Sequence, residues 1–195
     1  MKNLFRLLFS VACLLAGNAI AADKSPVPTV TIGKTTAPVT VDEYASLGCS
    51  HCADFHLNTM PQLKATYLDS GKVKIVYHFF PLDKVSTDAA LLVECAPEQA
   101  ENIITLLYRQ QADWTRDPNY QGKLRGYGAM LGLPEKKIEA CLNDTKMRDA
   151  ILQGRVQANK NFQVNATPTF IINGGASRLE GFQTFDQMAA VLNKL

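Results

Sequence analysis

The sequence VTVDEYASLGCSHC, residues 39–52, decides the fold of this protein. Its first part, Val39 to Tyr44, alternates and is rich in β-branched residues, which predicts a strand that enters the core. The strand ends at Ser46-Leu47-Gly48, immediately before Cys49 and Cys52. Two cysteines, three positions apart, therefore lie where a strand ends and a helix is expected to begin.

An amphipathic helix is predicted after the cysteine pair, and a second strand after that helix. The apolar residues of the helix recur at steps of three and four positions: Ala53, Leu57, Met60, Leu63 and Tyr67. Pro61 should kink the helix, and Ser70-Gly71 should end it. From Val73 to Phe79 apolar residues occupy every second position, and Pro81 closes this second strand.

The rest of the chain is predicted to be a helical block, a hairpin and a last helix. Between residues 84 and 160 the apolar periodicity is helical throughout. Strand character returns at 169–172, and a turn signal before a short strand at 178–180 predicts a hairpin. Thr184 and Gln187 form a capping-box signal for the last helix. The predicted order is strand, helix, strand, helical block, hairpin, helix.

The first 21 residues are predicted to be an export signal. Lys2 and Arg6 provide a positive start, Leu7 to Ala16 an apolar middle, and Ala19-Ile20-Ala21 a cleavage site. The apolar segment is shorter than the about 20 residues that a membrane span needs. The mature protein is therefore expected to be exported and soluble.

Composition and charge restrict the class of protein. Of the 195 residues, 47% are apolar and 19% are charged, which is typical of a globular protein and excludes a disordered or collagen-like chain. Removing residues 1–21 removes two basic residues and no acidic ones, so the formal net charge falls from +2 to 0. This balance argues against nucleic acid as a partner, because affinity for phosphate backbones depends on clustered Lys and Arg.

The chain has five cysteines, and three of them lie outside the CxxC pair. Cys13 falls in the export signal; it would be lipidated in an alternative interpretation, but Ser10 stands where such sites usually carry an aliphatic residue. Cys95 and Cys141 lie on apolar helix faces and are either buried free thiols or a disulfide. Because export permits disulfides, we expect these two cysteines to be bonded.

The run Cys49-Ser50-His51-Cys52 carries the chemistry. At a helix amino terminus, free N–H groups and the helix dipole stabilise a thiolate on the first sulfur, and His51 would lower its pKa further. The alternatives are half of a zinc site or a pair of inert buried thiols. A zinc site would need two more ligands besides the two cysteines. The nearest candidate is His56, and the sequence contains no second pair of ligands at a suitable spacing. The spacing favours a redox-active pair and no metal site.

Two further features gain meaning beside the cysteine pair. A cis proline at Thr167-Pro168, just before a strand, would lie against the disulfide, offer the Thr167 backbone to an extended substrate and keep metals from the sulfurs. Glu43 lies on a strand rich in valine, where a carboxylate is costly unless satisfied or used. Glu43 either faces water at the strand end or is a buried acid that relays a proton to or from Cys52. Asp42 points to the opposite face and is expected to be solvated.

These residues together resemble a known family. Residues 39–56, with Glu43 and the cysteine pair, and the run ATPTFII at 166–172 are similar to the DsbA-like thiol-disulfide oxidoreductases of the bacterial envelope. The resemblance covers nearly the whole mature chain and implies an α/β structure, a thioredoxin fold with an inserted helical domain. Residues 22–83 and 161–195 would form the thioredoxin-like domain, and residues 84–160 the inserted helical domain.

The resemblance also implies a role for each site residue. Cys49 would be the exposed nucleophile, Cys52 its buried partner and His51 the residue that destabilises the disulfide. Glu43 matches the buried acid of the family, and Pro168 matches its cis proline.

Two positions depart from the family pattern. Ser50 stands where the best-studied oxidases carry proline, and Thr167 is similar to what disulfide isomerases carry before the cis proline. Both departures concern the strength of oxidation rather than the chemistry itself.

The function implied is that of a monomeric periplasmic oxidase without a cofactor. It would introduce disulfides into reduced, unfolded exported proteins, and a membrane quinone-linked partner of the DsbB type would reoxidise it. One alternative is a disulfide isomerase or reductase of the same superfamily, but too few mature residues precede Val39 for the added domain of a typical isomerase. Another alternative is a non-enzymatic metal-handling module. The lack of Met or His clusters near the cysteine pair argues against it.

Overall fold

The computed structural model describes residues 27–195, which contain a five-stranded mixed sheet. The strands are β1 Thr29–Ile32, β2 Val39–Ala45, β3 Val73–Phe79, β4 Thr169–Ile172 and β5 Ser177–Glu180, in the spatial order β1-β3-β2-β4-β5. Strands β2 and β3 are parallel, and the other neighbouring pairs are antiparallel. The predicted export signal, residues 1–21, lies outside the described residues.

Strand β1 was not expected from the sequence. Its four residues, TVTI, pair with the edge of β3, where Thr29 lies opposite His78 and Ile32 opposite Ile75. An alternation of only four residues directly after Pro28 is too short to be distinguished from a polar terminal segment. Pairing with β3, a tertiary contact, is what makes this segment a strand.

The helix after the cysteine pair is continuous but irregular. It consists of α1 Ser50–Asp54, a π-helical turn Phe55–Thr59, α2 Met60–Leu63 and a second π-helical turn Lys64–Leu68. The sequence predicted a single helix with a kink at Pro61. The structure places Pro61 in the first turn of α2, directly after the π-helical turn Phe55–Thr59. Proline has no N–H to donate, so the start of a regular segment is the position where it costs least.

Seven further α-helices follow the irregular helix within the described residues. They are α3 Lys84–Glu94, α4 Ala100–Arg109, α5 Gln111–Trp114, α6 Tyr120–Met130, α7 Glu135–Leu142, α8 Thr145–Phe162 and α9 Phe185–Leu192. Helix α9 begins with the predicted capping box of Thr184 and Gln187. No helix within residues 27–195 is long and apolar enough to cross a membrane.

Three apolar clusters hold the sheet and the helices together. One face of the sheet packs on the irregular helix after the cysteines and on α9, and the other face packs on Ala158 of α8 through Tyr44 and Ile171. The largest cluster joins the helices α3 to α8 to Leu47, Cys52 and other residues at the carboxyl end of the parallel strands. The cysteine pair therefore lies where the sheet and the inserted helices meet.

The structure pairs Cys95, directly after α3, with Cys141, in the last turn of α7. Their Cα atoms are 5.6 Å apart, and the cysteines are separated by 46 positions. The bond links two helices of the inserted block.

We expect replacement of both Cys95 and Cys141 by alanine to lower the free energy of unfolding by about 2–4 kcal/mol. A cross-link stabilises mainly by restricting the unfolded chain, and the chain-entropy model gives about 4 kcal/mol as an upper figure for this loop. Urea denaturation of both proteins measures the difference, with the Cys49→Ala/Cys52→Ala variant as the control that removes two thiols elsewhere. An unchanged unfolding free energy would show that the disulfide adds no stability.

Candidate active site

Cys49 and Cys52 occupy different environments at the start of α1. Cys49 is the amino-terminal cap of the helix, with extended backbone angles, and is partly exposed. Cys52 lies inside the first turn and is fully buried. The two thiols are not bonded to each other in this structure. One sulfur is therefore accessible to a partner molecule, whereas the other is enclosed by the protein.

The surroundings of Cys49 stabilise its thiolate. Its pKa is lowered to about 5, first by a hydrogen bond from the Cys52 thiol and further by the Thr167 side chain and the backbone N–H groups of Cys52 and His51, while partial burial acts the other way. These donors are those of a helix amino terminus and of the loop that faces it. At neutral pH Cys49 is therefore a thiolate.

The surroundings of Cys52 have the opposite effect. Burial raises its pKa well above the ordinary value of a thiol, and the charges of Cys49 and Glu43 raise it further. Desolvation disfavours a buried anion, and nearby negative charges add to that cost. Cys52 therefore holds its proton when Cys49 is ionised.

The loop before β4 closes the site on one side. The Thr167–Pro168 peptide bond is cis, and Cys49 Sγ lies 3.3 Å from the Thr167 carbonyl oxygen. The Thr167 hydroxyl is buried, and apart from Cys49 Sγ no group within residues 27–195 is a hydrogen-bond partner for it. A buried hydroxyl without a partner is costly, and the Cys49 thiolate that it faces is the acceptor that would satisfy it.

We expect Thr167→Val to raise the pKa of Cys49 by roughly one to two pH units. Valine keeps the shape of threonine but removes the donor, and a hydrogen bond to a charged group contributes about 1.5–3 kcal/mol, where 1.36 kcal/mol corresponds to one pKa unit. Thiolate ultraviolet absorbance against pH measures the change. Thr167→Ser, which retains the hydroxyl, is the control and should keep the original midpoint; a valine variant with that same midpoint would contradict the role of the hydroxyl.

His51 contributes to this site through its backbone. Its imidazole is exposed, whereas its N–H group is among the donors that lower the pKa of Cys49. The sequence-based prediction was that the imidazole lowers the pKa of Cys49 as a cation or hydrogen-bond donor. The structure shows the contact of the backbone N–H group, and the role of the imidazole stays a prediction.

Glu43 is fully buried, so the interpretation that it faces water at the strand end is wrong. Its two carboxyl oxygens lie 2.9 and 3.1 Å from His56 Nε2, and the His56 side chain is also buried. The sequence considered His56 only as a candidate zinc ligand. The sequence signal for this contact is the position of His56, one helical turn after Cys52.

Two other contacts differ from the sequence-based expectations. Asp42 was expected to be solvated, but its Oδ1 lies 2.7 Å from His78 Nε2 on the neighbouring strand, and both side chains are partly exposed. Gln111, which carried no sequence signal, donates from Nε2 to the carbonyl oxygens of Leu47 at 2.7 Å and Cys49 at 3.0 Å. The inserted block is thus tied directly to the backbone that carries Cys49.

Comparison with known proteins agrees with this geometry. A family model described as thioredoxin matches residues 25–194. A Rickettsia felis protein, provisionally named a protein-disulfide oxidoreductase, is 32% identical over 173 residues, or 84% of this chain and 58% of the relative. The crystal structure of alpha-DsbA1 from Wolbachia pipientis has a TM-score of 0.80 at 30% identity, covering 87% of this chain and 92% of that chain. Oxidised BdbD from Bacillus subtilis shares the fold, with a TM-score of 0.74 at 22% identity over 84% of this chain and 90% of its own.

A cysteine pair at the start of a helix, opposite the loop that precedes an antiparallel strand of the same sheet, is a dithiol site of the thioredoxin type. The chain belongs to the thioredoxin family and is one of its DsbA-like members. The predicted α/β thioredoxin fold with a helical insertion is thereby confirmed. The chain spans 58% of the length of the Rickettsia felis relative.

Proposed function

We propose that this protein is a thiol-disulfide oxidoreductase that introduces disulfides into exported proteins through Cys49 and Cys52. The observation that carries the proposal is the contrast between the two thiols: the pKa of partly exposed Cys49 is lowered to about 5, and that of buried Cys52 is raised. A stabilised Cys49 thiolate favours the dithiol form over the disulfide. The disulfide form therefore tends to accept electrons, which is the property of an oxidant.

The reaction proceeds in two exchanges. A substrate thiolate attacks Cys49 Sγ and forms a mixed disulfide; the Cys49–Cys52 bond breaks, and its electron pair goes to Cys52, which takes up a proton. A second substrate thiolate then attacks the substrate sulfur of the mixed disulfide. The substrate leaves with its new disulfide, and Cys49 leaves as a thiolate. The substrate loses two electrons, which the cysteine pair gains.

The proposal assigns a role to each site residue. Cys49 is the nucleophilic centre, Cys52 the resolving thiol, Glu43 the buried acid and His51 the residue that destabilises the disulfide. Thr167 and Pro168 form the substrate-binding loop, because the Thr167 backbone lies beside Cys49 and is placed to meet an extended peptide segment. The helices between residues 84 and 160 form the inserted domain, and residues 22–83 and 161–195 the thioredoxin-like domain.

The cellular setting belongs to the same proposal. The protein acts as a monomer in the periplasm after cleavage of an export signal at residues 1–21. Its substrates are reduced, unfolded exported proteins, and a membrane quinone-linked protein of the DsbB type returns Cys49 and Cys52 to the disulfide. The provisional name of the Rickettsia felis relative, a protein-disulfide oxidoreductase, supports the reaction class.

Parallel assays on two substrates test the direction of the reaction. We expect the oxidised protein to form disulfides rapidly in a reduced, unfolded protein and to repair a scrambled one slowly, because a monomer with one site lacks an enclosed cleft that retains misfolded chains. Repair as fast as oxidation, together with a stable dimer in light scattering, would instead indicate an isomerase. Absence of exchange with either substrate would contradict the proposed function.

The alkylation rate of Cys49 should rise with pH through about 5 and be nearly constant at neutral pH and above. The thiolate is the reacting form, and the pKa of Cys49 is lowered to about 5. An ordinary thiol, with a pKa of about 8.5, would still be gaining reactivity there. Mass spectrometry after brief exposure to iodoacetamide measures Cys49, and buried Cys52 serves as the internal control that stays unmodified. A Cys49 midpoint above about 8 would contradict a stabilised thiolate.

A further inference from the structure

His56 is a buried titratable residue that the proposed exchange reaction does not yet use. It follows Cys52 by one helical turn and lies in the π-helical turn Phe55–Thr59, a type of turn frequent at functional sites. Its side chain is 4% exposed, and its Nε2 lies within hydrogen-bond distance of both carboxyl oxygens of Glu43. Among residues 27–195, His56 is the one basic side chain within ion-pair distance of Glu43.

The groups that face His56 come from three other elements. Glu43 lies on β2; the Tyr77 ring on β3 lies 5.6 Å from the imidazole ring, and the Tyr108 ring on α4 lies 4.7 Å from it. The two tyrosine hydroxyls are 2.8 Å apart and bond to each other, and burial raises the pKa of both well above the ordinary value. Cys52, one helical turn earlier on the same helix, is a further titratable group.

These contacts distinguish the two tyrosines, which stay neutral, from Glu43 and His56, which share a proton. The tyrosines stay neutral and satisfy each other, so neither competes for the proton between His56 and Glu43. His56 follows Cys52 by one helical turn and contacts Glu43, so the pair lies on the side of the helix that carries this thiol. The charge of Glu43 also raises the pKa of Cys52. A buried carboxylate and a buried imidazole that share one proton form a neutral pair, and when that proton is given up an imidazole N–H can still donate a hydrogen bond to the carboxylate that remains.

We propose that Glu43 and His56 act as one proton-holding pair for Cys52, with His56 as the positioning residue that keeps a proton on the pair. This inference rests on the proposed exchange reaction. When a substrate thiolate attacks Cys49, the electron pair of the broken bond goes to Cys52, and the pair supplies the proton that Cys52 takes up. The pair is then left one proton short, with the neutral imidazole hydrogen-bonded to the Glu43 carboxylate, and regains the proton from water. During reoxidation the pair first releases its regained proton to water and then accepts the proton of Cys52.

Rapid-mixing kinetics of the oxidised protein with reduced glutathione test this role, with mixed-disulfide formation measured against pH at a constant concentration of glutathione thiolate. We expect His56→Gln to slow this step at least about tenfold at neutral pH and to displace the pH at which the rate falls, since positioned proton donors typically contribute 10²–10⁴-fold. Glu43→Gln should slow the same step, and the double variant should be no slower than the slower single variant, because two residues of one unit are not additive.

His78→Gln is the matched control. His78 bonds to Asp42 at 2.7 Å through the same kind of contact, but from the opposite face of β2 and β3, away from Cys52. This variant should retain the rate and the pH profile of the unmodified protein. Additive effects of the two Gln substitutions, or a His56→Gln protein with an unchanged pH profile, would overturn the proposal.

A second measurement applies if His56→Gln does not fold. The chain has three histidines, so the imidazole nitrogen NMR signals of the unmodified protein can be assigned individually. The signals of His56 should differ between the disulfide and dithiol forms at the same pH; identical His56 signals in the two forms would overturn the proposal. If the unmodified protein does not react with glutathione at all, the proposed function has failed, whereas normal exchange with an inert His56 contradicts this inference alone.

Discussion

Replacement of Cys49 by serine is expected to reduce oxidation of an unfolded protein substrate to the uncatalysed rate. Serine is close in shape but cannot form a disulfide, and it leaves Cys52 as the remaining thiol of the pair. Cys52 is fully buried and its pKa is raised, so it offers neither access nor a thiolate. Ellman titration of the substrate thiols over time measures the rate.

Cys52→Ser is the informative control for that variant. Cys49 remains accessible but has no resolving thiol behind it. Reaction with a small disulfide should therefore convert Cys49 to a mixed disulfide that persists and is visible by mass spectrometry. Substantial oxidase activity in Cys49→Ser, or a mixed disulfide in Cys52→Ser that decays as fast as in the unmodified protein, would mean that another group carries the exchange.

Replacement of Asp88 by alanine is expected to lower the free energy of unfolding by about 3 kcal/mol. Asp88 is 1% exposed and binds side chains from three helices: Lys84 Nζ at 2.6 Å, Tyr120 OH at 2.9 Å, Gln121 Nε2 at 3.3 Å and Arg148. Removing one partner of a buried ion pair typically costs 3–5 kcal/mol. The lower end applies because Lys84 and Arg148, at 66% and 26% exposed, keep contact with water.

The effect of Asp88 should depend on pH in a defined direction. Burial raises the pKa of Asp88, but hydrogen bonds from Lys84 and Arg148 outweigh burial and lower the pKa below its ordinary value. A lowered folded-state pKa stabilises the protein above the unfolded-state pKa, and this contribution is lost as the pH falls through the folded-state value. The stability difference between the two proteins should therefore be full at neutral pH and shrink in acid.

Urea denaturation at several pH values measures both effects, and Asp69→Ala is the control. Asp69 is 62% exposed and lies 3.7 Å from Lys64, so its loss should cost less than about 1 kcal/mol. A similar cost for the two alanine variants would show that the buried cluster adds nothing beyond a surface ion pair.

The parts of this fold that follow from the sequence are those set by local patterns. Strand β2, the helix after the cysteines and the capped helix α9 each carry their own periodicity or cap, which adjoining residues determine. Strand β1 depends on pairing with β3, and the π-helical turns at Phe55–Thr59 and Lys64–Leu68 depend on packing. Neither kind of feature leaves a pattern in the segment itself.

The same distinction separates the site residues. The spacing of Cys49 and Cys52 is local, so their chemistry could be predicted from it. The contact between His56 and Glu43 joins a helix to a strand, and that between Gln111 and the Cys49 carbonyl joins α5 to the loop before α1. Such pairs are set by tertiary packing, and a single sequence does not record which polar side chains meet across elements.

The reduction potential of the Cys49–Cys52 pair tests the central claim most directly. The protein is equilibrated in mixtures of reduced and oxidised glutathione, and the fraction with free Cys49 and Cys52 is counted by alkylation and mass spectrometry. A stabilised Cys49 thiolate favours the dithiol form, so we predict a potential more positive than about −200 mV, on the oxidising side of this fold class. A potential near the about −270 mV of the reductant thioredoxin would contradict the account.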